Sequence, residues 1–135
     1  TPQHPGDDGI ALVFPKGLLG FPSLRHFRLL EPHDGYPLKF LESLEDPDVA
    51  FACLDPVAVK PDYAVALGAE EAEVLDLFAP EEALVLTLVA LRDRAPRLTT
   101  NLAGPIVINA RTRRGCQVAL GSGEHPLRFP VPTGA

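Results

Sequence analysis

Long apolar runs are missing from this chain, and that absence removes a class of answers at once. The longest, residues 83–91, spans nine residues with Thr87 inside it, well short of the roughly 20 that a helix needs to cross a bilayer. No membrane partner is expected. The first nine residues do not read as a secretory leader: they are polar and carry Asp7 and Asp8, where a leader has a basic stretch followed by an apolar one. Residues 1–9 are expected to form a flexible tail ahead of a single folded domain, residues 10–132. Cysteine is scarce. Cys53 and Cys116 stand far apart and cannot build a four-ligand zinc cage unaided, since such cages draw on closely spaced pairs. Both lie among apolar residues and read as buried free thiols of a cytoplasmic protein, with a disulfide or a reactive thiol as alternatives.

Catalytic constellations are equally thin. His4, His26, His33 and His125 fall in the tail, in a candidate strand and in proline-rich loops, and none has the i, i+4 spacing of a metal-binding helix. The glycines of Gly17–Gly20 and Gly121–Gly123 match neither a dinucleotide fingerprint nor a phosphate loop, so they read as turns. Glu70 with Glu71 and Glu81 with Glu82 are neighbours in sequence; regular structure points neighbours apart, whereas acid–base pairs converge. An enzyme is not expected, and no cofactor or metal is implied.

What the chain does have is acid, unevenly placed. Net charge is −6, yet residues 1–90 hold 16 acids and 5 bases while 91–135 hold 2 acids and 7 bases. Between Glu42 and Glu82 twelve acids face only Lys60. Such a field repels a phosphate backbone and steers basic proteins inward, or it is simply a solvated face. The basic remainder is Arg92, Arg94, Arg97, Arg111, Arg113, Arg114 and Arg128. It makes a local anion site only if folding gathers several of them. Phe129 is the only aromatic after Phe78, too few for base stacking, so no direct nucleic-acid partner is expected.

Short apolar segments alternate with Pro and Gly breakers about every ten residues, the spacing of an all-β barrel or sandwich. Candidate strands are 11–14, 26–30, 38–43, 50–54, 63–67, 84–91, 99–102, 106–110, 116–120 and 127–131. The breakers are Pro15 and Gly17, residues 32–35, Pro47, Pro56, Pro61, Gly104 with Pro105, and residues 121–123. Residues 69–78 differ: they carry helix formers, early acids and Pro80 as a stop, and predict one short helix. Residues 84–91 are apolar on both parities and read as a central strand. Residues 111–115 suggest a hairpin tip turned by Gly115. The fold class expected is mainly β, a small single-domain β-barrel or roll of short antiparallel strands with one short helix.

Three blocks stand out in order: Phe14–Pro22 (FPKGLLGFP) with Phe27; Leu41–Asp46 (LESLED) with Phe51 and Pro56; and Thr100–Asn109 (TNLAGPIVIN) with Gln117. Together they resemble the bacterial flagellar assembly factor FliW family. The first is similar to its F-x-x-G-[IL]-x-G-F opening, the second to its L-[QE]-S strand, and the third, the most specific, to its T-x-N-L-x-x-P-[IV]-x-[IV]-N block. Departures are Gly104, where the family often has Ala, and His125–Pro126, where an aromatic often opens the last strand. The resemblance implies a cytoplasmic, non-enzymatic chaperone that holds flagellin before export. It also implies binding of the translational repressor CsrA, with flagellin competing.

Candidate partner-binding residues follow. Phe14 and Phe21 flank a glycine loop and either pack under it or present an apolar patch. Glu42, pointing outward by alternation, joins Glu45, Asp46 and Asp48 in an acidic docking surface or a solvated face. Asn101 and Asn109 bracket the turn at Pro105, where their side chains bond nearby backbone or meet a partner. Leu102, Ile106 and Ile108 face the core or line a groove. The expected state is a monomer. The competing reading is a small β-barrel that binds an apolar ligand in an interior lined by Leu84, Leu86 and Leu88.

Overall fold

The computed structural model describes residues 9–31, 38–120 and 125–132. Among these residues nine strands are present: β1 (Ile10–Val13), β2 (His26–Leu30), β3 (Leu38–Ser43), β4 (Ala50–Leu54), β5 (Ala83–Leu91), β6 (Leu98–Thr100), β7 (Ile106–Asn109), β8 (Arg114–Gln117) and β9 (Phe129–Pro130). One α-helix, α1 (Ala69–Leu75), and 3-10 turns at Pro56–Ala58 and Pro80–Glu82 lie between β4 and β5.

The hydrogen-bonded order β4-β3-β2-β1-β8-β7-β5, with β5 returning to β4, closes a seven-stranded barrel. An odd number of strands cannot close with every neighbour antiparallel. The exception here is β1 against β8, a parallel contact at Val13 and Arg114. Strand β5 holds the barrel shut: Ala83–Leu86 pair with β7, Thr87–Val89 pair with β4, and Val89–Leu91 run on to pair with β6. Its apolarity on both parities follows from this position, with Leu86 and Thr87 on opposite faces and both buried.

Alternation sets the interior. Leu12, Phe14, Phe27, Leu29, Leu41, Cys53, Leu86, Ile106 and Ile108 form one buried cluster, with Ile10, Phe51, Leu84 and Leu88 packed against it. Phe14 and Phe27 meet edge to face at 5.4 Å, the arrangement that ring quadrupoles favour. The three leucines of the ligand-barrel reading are therefore part of a packed interior.

A second, smaller cluster lies outside the barrel, where Leu75 of α1 packs on Val107 and Cys116. The helix ends at Asp76, which takes a left-handed conformation (φ 56°). Its terminal carbonyls are captured by the β7–β8 turn: Asn109 Nδ2 and Thr112 Oγ1 donate to Leu75 O at 3.0 and 2.9 Å, and an Arg111 guanidinium nitrogen donates to Asp76 O at 2.7 Å.

Strands 26–30, 38–43 and 50–54 fall where the alternation put them, and most others differ by a residue or two. Residues 63–67 do not form a strand. The segment crosses the outer face instead, where Leu67 packs with Val85 against the Leu75 cluster, and Tyr63 Oη donates to Leu102 O at 2.7 Å. The helix stops short of residue 78 because of the left-handed turn at Asp76. In the β7–β8 hairpin the left-handed position belongs to Arg113 (φ 61°), not to Gly115. Gly115 lies within β8, where an added Cβ would sit 2.6 Å from the Phe14 ring. The prolines near the C-terminus are accommodated because β9 pairs only with β6, through Pro130 opposite Thr99, and Val131 N donates to Leu98 O at 2.9 Å. The tail up to residue 8 and the breakers at 32–35 and 121–123 lie outside the described residues.

Candidate functional site

At one end of the barrel β1 and β5 leave, β2 and β4 enter and β3 ends. Three connections therefore gather there: residues 14–25, 44–49 and 92–97. The first is a tight loop. Gly17, at φ 68°, lies against the Phe21 and Pro22 carbonyls, where a Cβ would approach to 2.6 Å. This conformation holds Leu18 inside and leaves Leu19 (56% exposed) and Phe21 (39%) outside. Phe21 stacks edge to face on Phe51 at 5.5 Å.

The second connection is acidic and internally braced. Ser43 Oγ accepts from the amides of Glu45 and Asp46 at 3.1 and 3.0 Å. Glu45 Oε1 accepts from the His26 and Arg25 amides at 3.0 and 2.6 Å, and its other oxygen lies 3.4 Å from His26 Nδ1. The amide of His26 first, then that of Arg25, holds the Glu45 carboxyl below its ordinary range. Asp46 Oδ1 accepts from the Asp48 amide at 3.0 Å.

The third connection is basic. Beyond its contact with β4, strand β5 continues as a ribbon with β6, and its barrel-facing parity, Leu88 and Ala90, leads out of the core. An open groove of about 870 Å³ results, lined by Phe51, Leu88, Ala90, Leu91 and Leu127, with Arg92, Arg94 and Arg128 around it. Leu91 and Leu127 are 74% and 67% exposed. Basic side chains from two segments distant in sequence thus meet over an apolar floor.

The candidate residues divide accordingly. Phe21, Glu45, Asp46 and Asp48 come together at this end, and Asn101 lines the groove with its Oδ1 accepting from Ala103 N at 2.9 Å. Glu42 is exposed on the outer wall, opposite Arg28 and Ala50. Phe14, Leu102, Pro105, Ile106 and Asn109 are buried. Their positions are structural. Asn109 caps α1, and Gln117 joins the glycine loop to the Gly-Pro turn by accepting from Leu19 N and donating to Gly104 O, both at 2.9 Å. Phe51, named in the second motif block, and Leu91 and Leu127 were not among the candidate partner-binding residues. Only the convergence of arginines was a legible condition, and Arg92, Arg94 and Arg128 meet it while Arg111, Arg113 and Arg114 stay with the α1 turn.

Among the described residues no group of three or more His, Cys, Asp or Glu side chains could hold a metal ion. Burial pushes the Cys53 thiol up to about 12 and Cys116 to about 11, and both thiols are free. They are poor nucleophiles at neutral pH. No helix among the described residues is long and apolar enough to cross a membrane.

The family model described as FliW protein matches residues 4–131. The chain belongs to the FliW family. It is 35% identical to flagellar assembly factor FliW 2 of Desulfotalea psychrophila over 94% of this chain and 83% of that one. It is 34% identical to flagellar assembly factor FliW of Clostridium beijerinckii over 93% and 89%. A crystal structure of the flagellar assembly factor FliW superposes with a TM-score of 0.82 at 26% identity, covering 98% of this chain and 93% of that one. The barrel described above is therefore the FliW fold. Two of the motif blocks supply its internal joints: Gly17 and Gln117 shape and tether the loop, and Asn109 ties β7 to α1.

Proposed function

We propose that this FliW-family chain is a monomeric cytoplasmic chaperone that holds flagellin before export, and that it captures the translational repressor CsrA when flagellin is scarce. The supporting observation is the crowding of two unlike surfaces at one barrel end. The groove, whose lining mixes Leu88, Leu91 and Leu127 with Arg92, Arg94 and Arg128, suits an amphipathic helix lying in it, and the acidic 44–49 turn beside it suits a basic partner. A protein of ordinary interface size covers about 800 Å² on each side, enough to span both surfaces. Occupation of one then blocks the other.

The test is a titration of cognate flagellin into a preformed complex with CsrA at two salt concentrations. Release of CsrA at stoichiometric flagellin, with tighter CsrA binding at low salt, is the expected outcome. A stable ternary complex would refute mutual exclusion. CsrA binding insensitive to salt would refute the acidic dock.

A further inference from the structure

We infer that the groove selects its flagellin segment by charge: the docking segment carries carboxylates next to its apolar anchors, and these meet Arg92, Arg94 and Arg128. The inference rests on the groove being the flagellin site. Three features support it. Arg92, Arg94 and Arg128 make no ion pair within the described residues, whereas Arg111 is engaged by Glu82 and by the Phe78 ring. Among the described residues lining the groove, three arginines face a single acid, Asp93, in a chain whose net charge is −6. Guanidinium groups also hold carboxylates through two parallel hydrogen bonds, which adds geometric selection to attraction.

The neighbouring surface decides which kind of anion fits. Strands β4 and β5 are antiparallel with Ala52 opposite Val89. The chain before β4 and the chain after β5 therefore lie beyond the same end of the pair. A long polyphosphate crossing the arginines would run onto Glu45, Asp46 and Asp48, and the lining offers it a single aromatic, the half-buried Phe51. A short peptide segment, acidic towards the arginines and neutral or basic towards the 44–49 turn, meets no such repulsion. The orientation of the bound segment is thereby set.

The experiment measures binding of full-length cognate flagellin, as monomer, to the whole chain and to three variants over a range of salt. The variants are Arg92→Gln/Arg94→Gln/Arg128→Gln, Leu91→Ser/Leu127→Ser, and the single Arg94→Gln in the exposed turn, which stays informative if the triple variant folds poorly. Arg113→Gln, exposed on the α1 side, serves as the charge control. The triple arginine variant is expected to bind about tenfold more weakly at low salt and to lose most of its salt dependence. Arg94→Gln should show about a twofold loss in the same direction. The leucine variant should weaken binding at every salt concentration with the salt slope retained. Loss in the leucine variant with no change in either arginine variant would overturn the charge selection and leave the groove as the flagellin site. Unchanged binding in all three would overturn the groove assignment and this inference with it. Binding of a single-stranded RNA of about 20 nucleotides, abolished by the triple variant, would show that the arginines read phosphate and would also overturn the inference.

Discussion

Leu75 O, at the end of α1, lacks an intrahelical partner, as the final carbonyls of any helix do. Two side chains of the β7–β8 turn compete to satisfy it, Asn109 Nδ2 at 3.0 Å and Thr112 Oγ1 at 2.9 Å. Removing either donor leaves the other in place. Asn109→Ala loses that bond, the weaker contact to Asp76 O at 3.3 Å and acceptance from Arg111 N at 2.9 Å. With a small cavity added at a fully buried position, the cost is about 2–3 kcal/mol. Thr112→Val keeps its shape and loses one shared bond, about 0.5–1 kcal/mol. In the double variant the carbonyl has no partner in a buried setting, which costs a further 1–2 kcal/mol or so. The double-mutant cycle should therefore show losses that exceed the sum of the singles by about 1 kcal/mol or more. Urea unfolding of all four proteins measures this as shifts in midpoint at constant slope. Additivity to within about 0.3 kcal/mol would refute the shared-acceptor account.

Other outcomes follow from the same geometry. Gly115→Ala drives a methyl to 2.6 Å from the Phe14 ring, and thermal melts should show a loss of about 1–3 kcal/mol. Gly104→Ala should cost less, because its nearest neighbours are the side-chain amides of Asn101 at 3.0 Å and Gln117 at 3.2 Å, farther than the ring that meets Gly115. Glu45 has its pKa lowered by the His26 and Arg25 amides. Its contribution is therefore present above the unfolded-state pKa and is lost as pH falls through the folded one. Acid titrations of stability should be shallower in Glu45→Gln than in the parent chain. With the Cys53 thiol raised to about 12 and Cys116 to about 11, alkylation at neutral pH should be slow in the folded protein and rapid in denaturant. Quick labelling of the native chain would contradict their burial.

How much of this was legible in the sequence depends on the range of the interaction concerned. Strands β2, β3 and β4 could be read because alternation such as Phe27, Leu29 and Leu41, Ser43 inside against Arg28 and Glu42 outside is local. The helix at Ala69–Leu75 was announced by early acids and good helix formers, although its end was decided by Asp76 meeting Asn109, 33 residues away. Tyr63–Leu67 misled because its apolar residues serve the outer wall, a role with the same composition as a strand. The motif blocks identified the family and at the same time drew attention to buried joints. Phe14, Leu102, Pro105, Ile106 and Asn109 form a recognisable pattern and are all buried in the barrel.

Taken alone, the sequence determined the β class, the inward and outward faces of most strands, the family, and the division into an acidic first part and a basic remainder. These depend on neighbours within a few residues or on the order of motifs. Tertiary structure decided that seven strands close, that β1 meets β8 in parallel, and that β5 runs past the barrel. Together with Leu127 and Arg128, that overrun forms a groove beside the acidic 44–49 turn. Which charges share a surface depends on strand pairing between distant segments, and pairing is a property of the closed barrel that no local stretch of sequence contains.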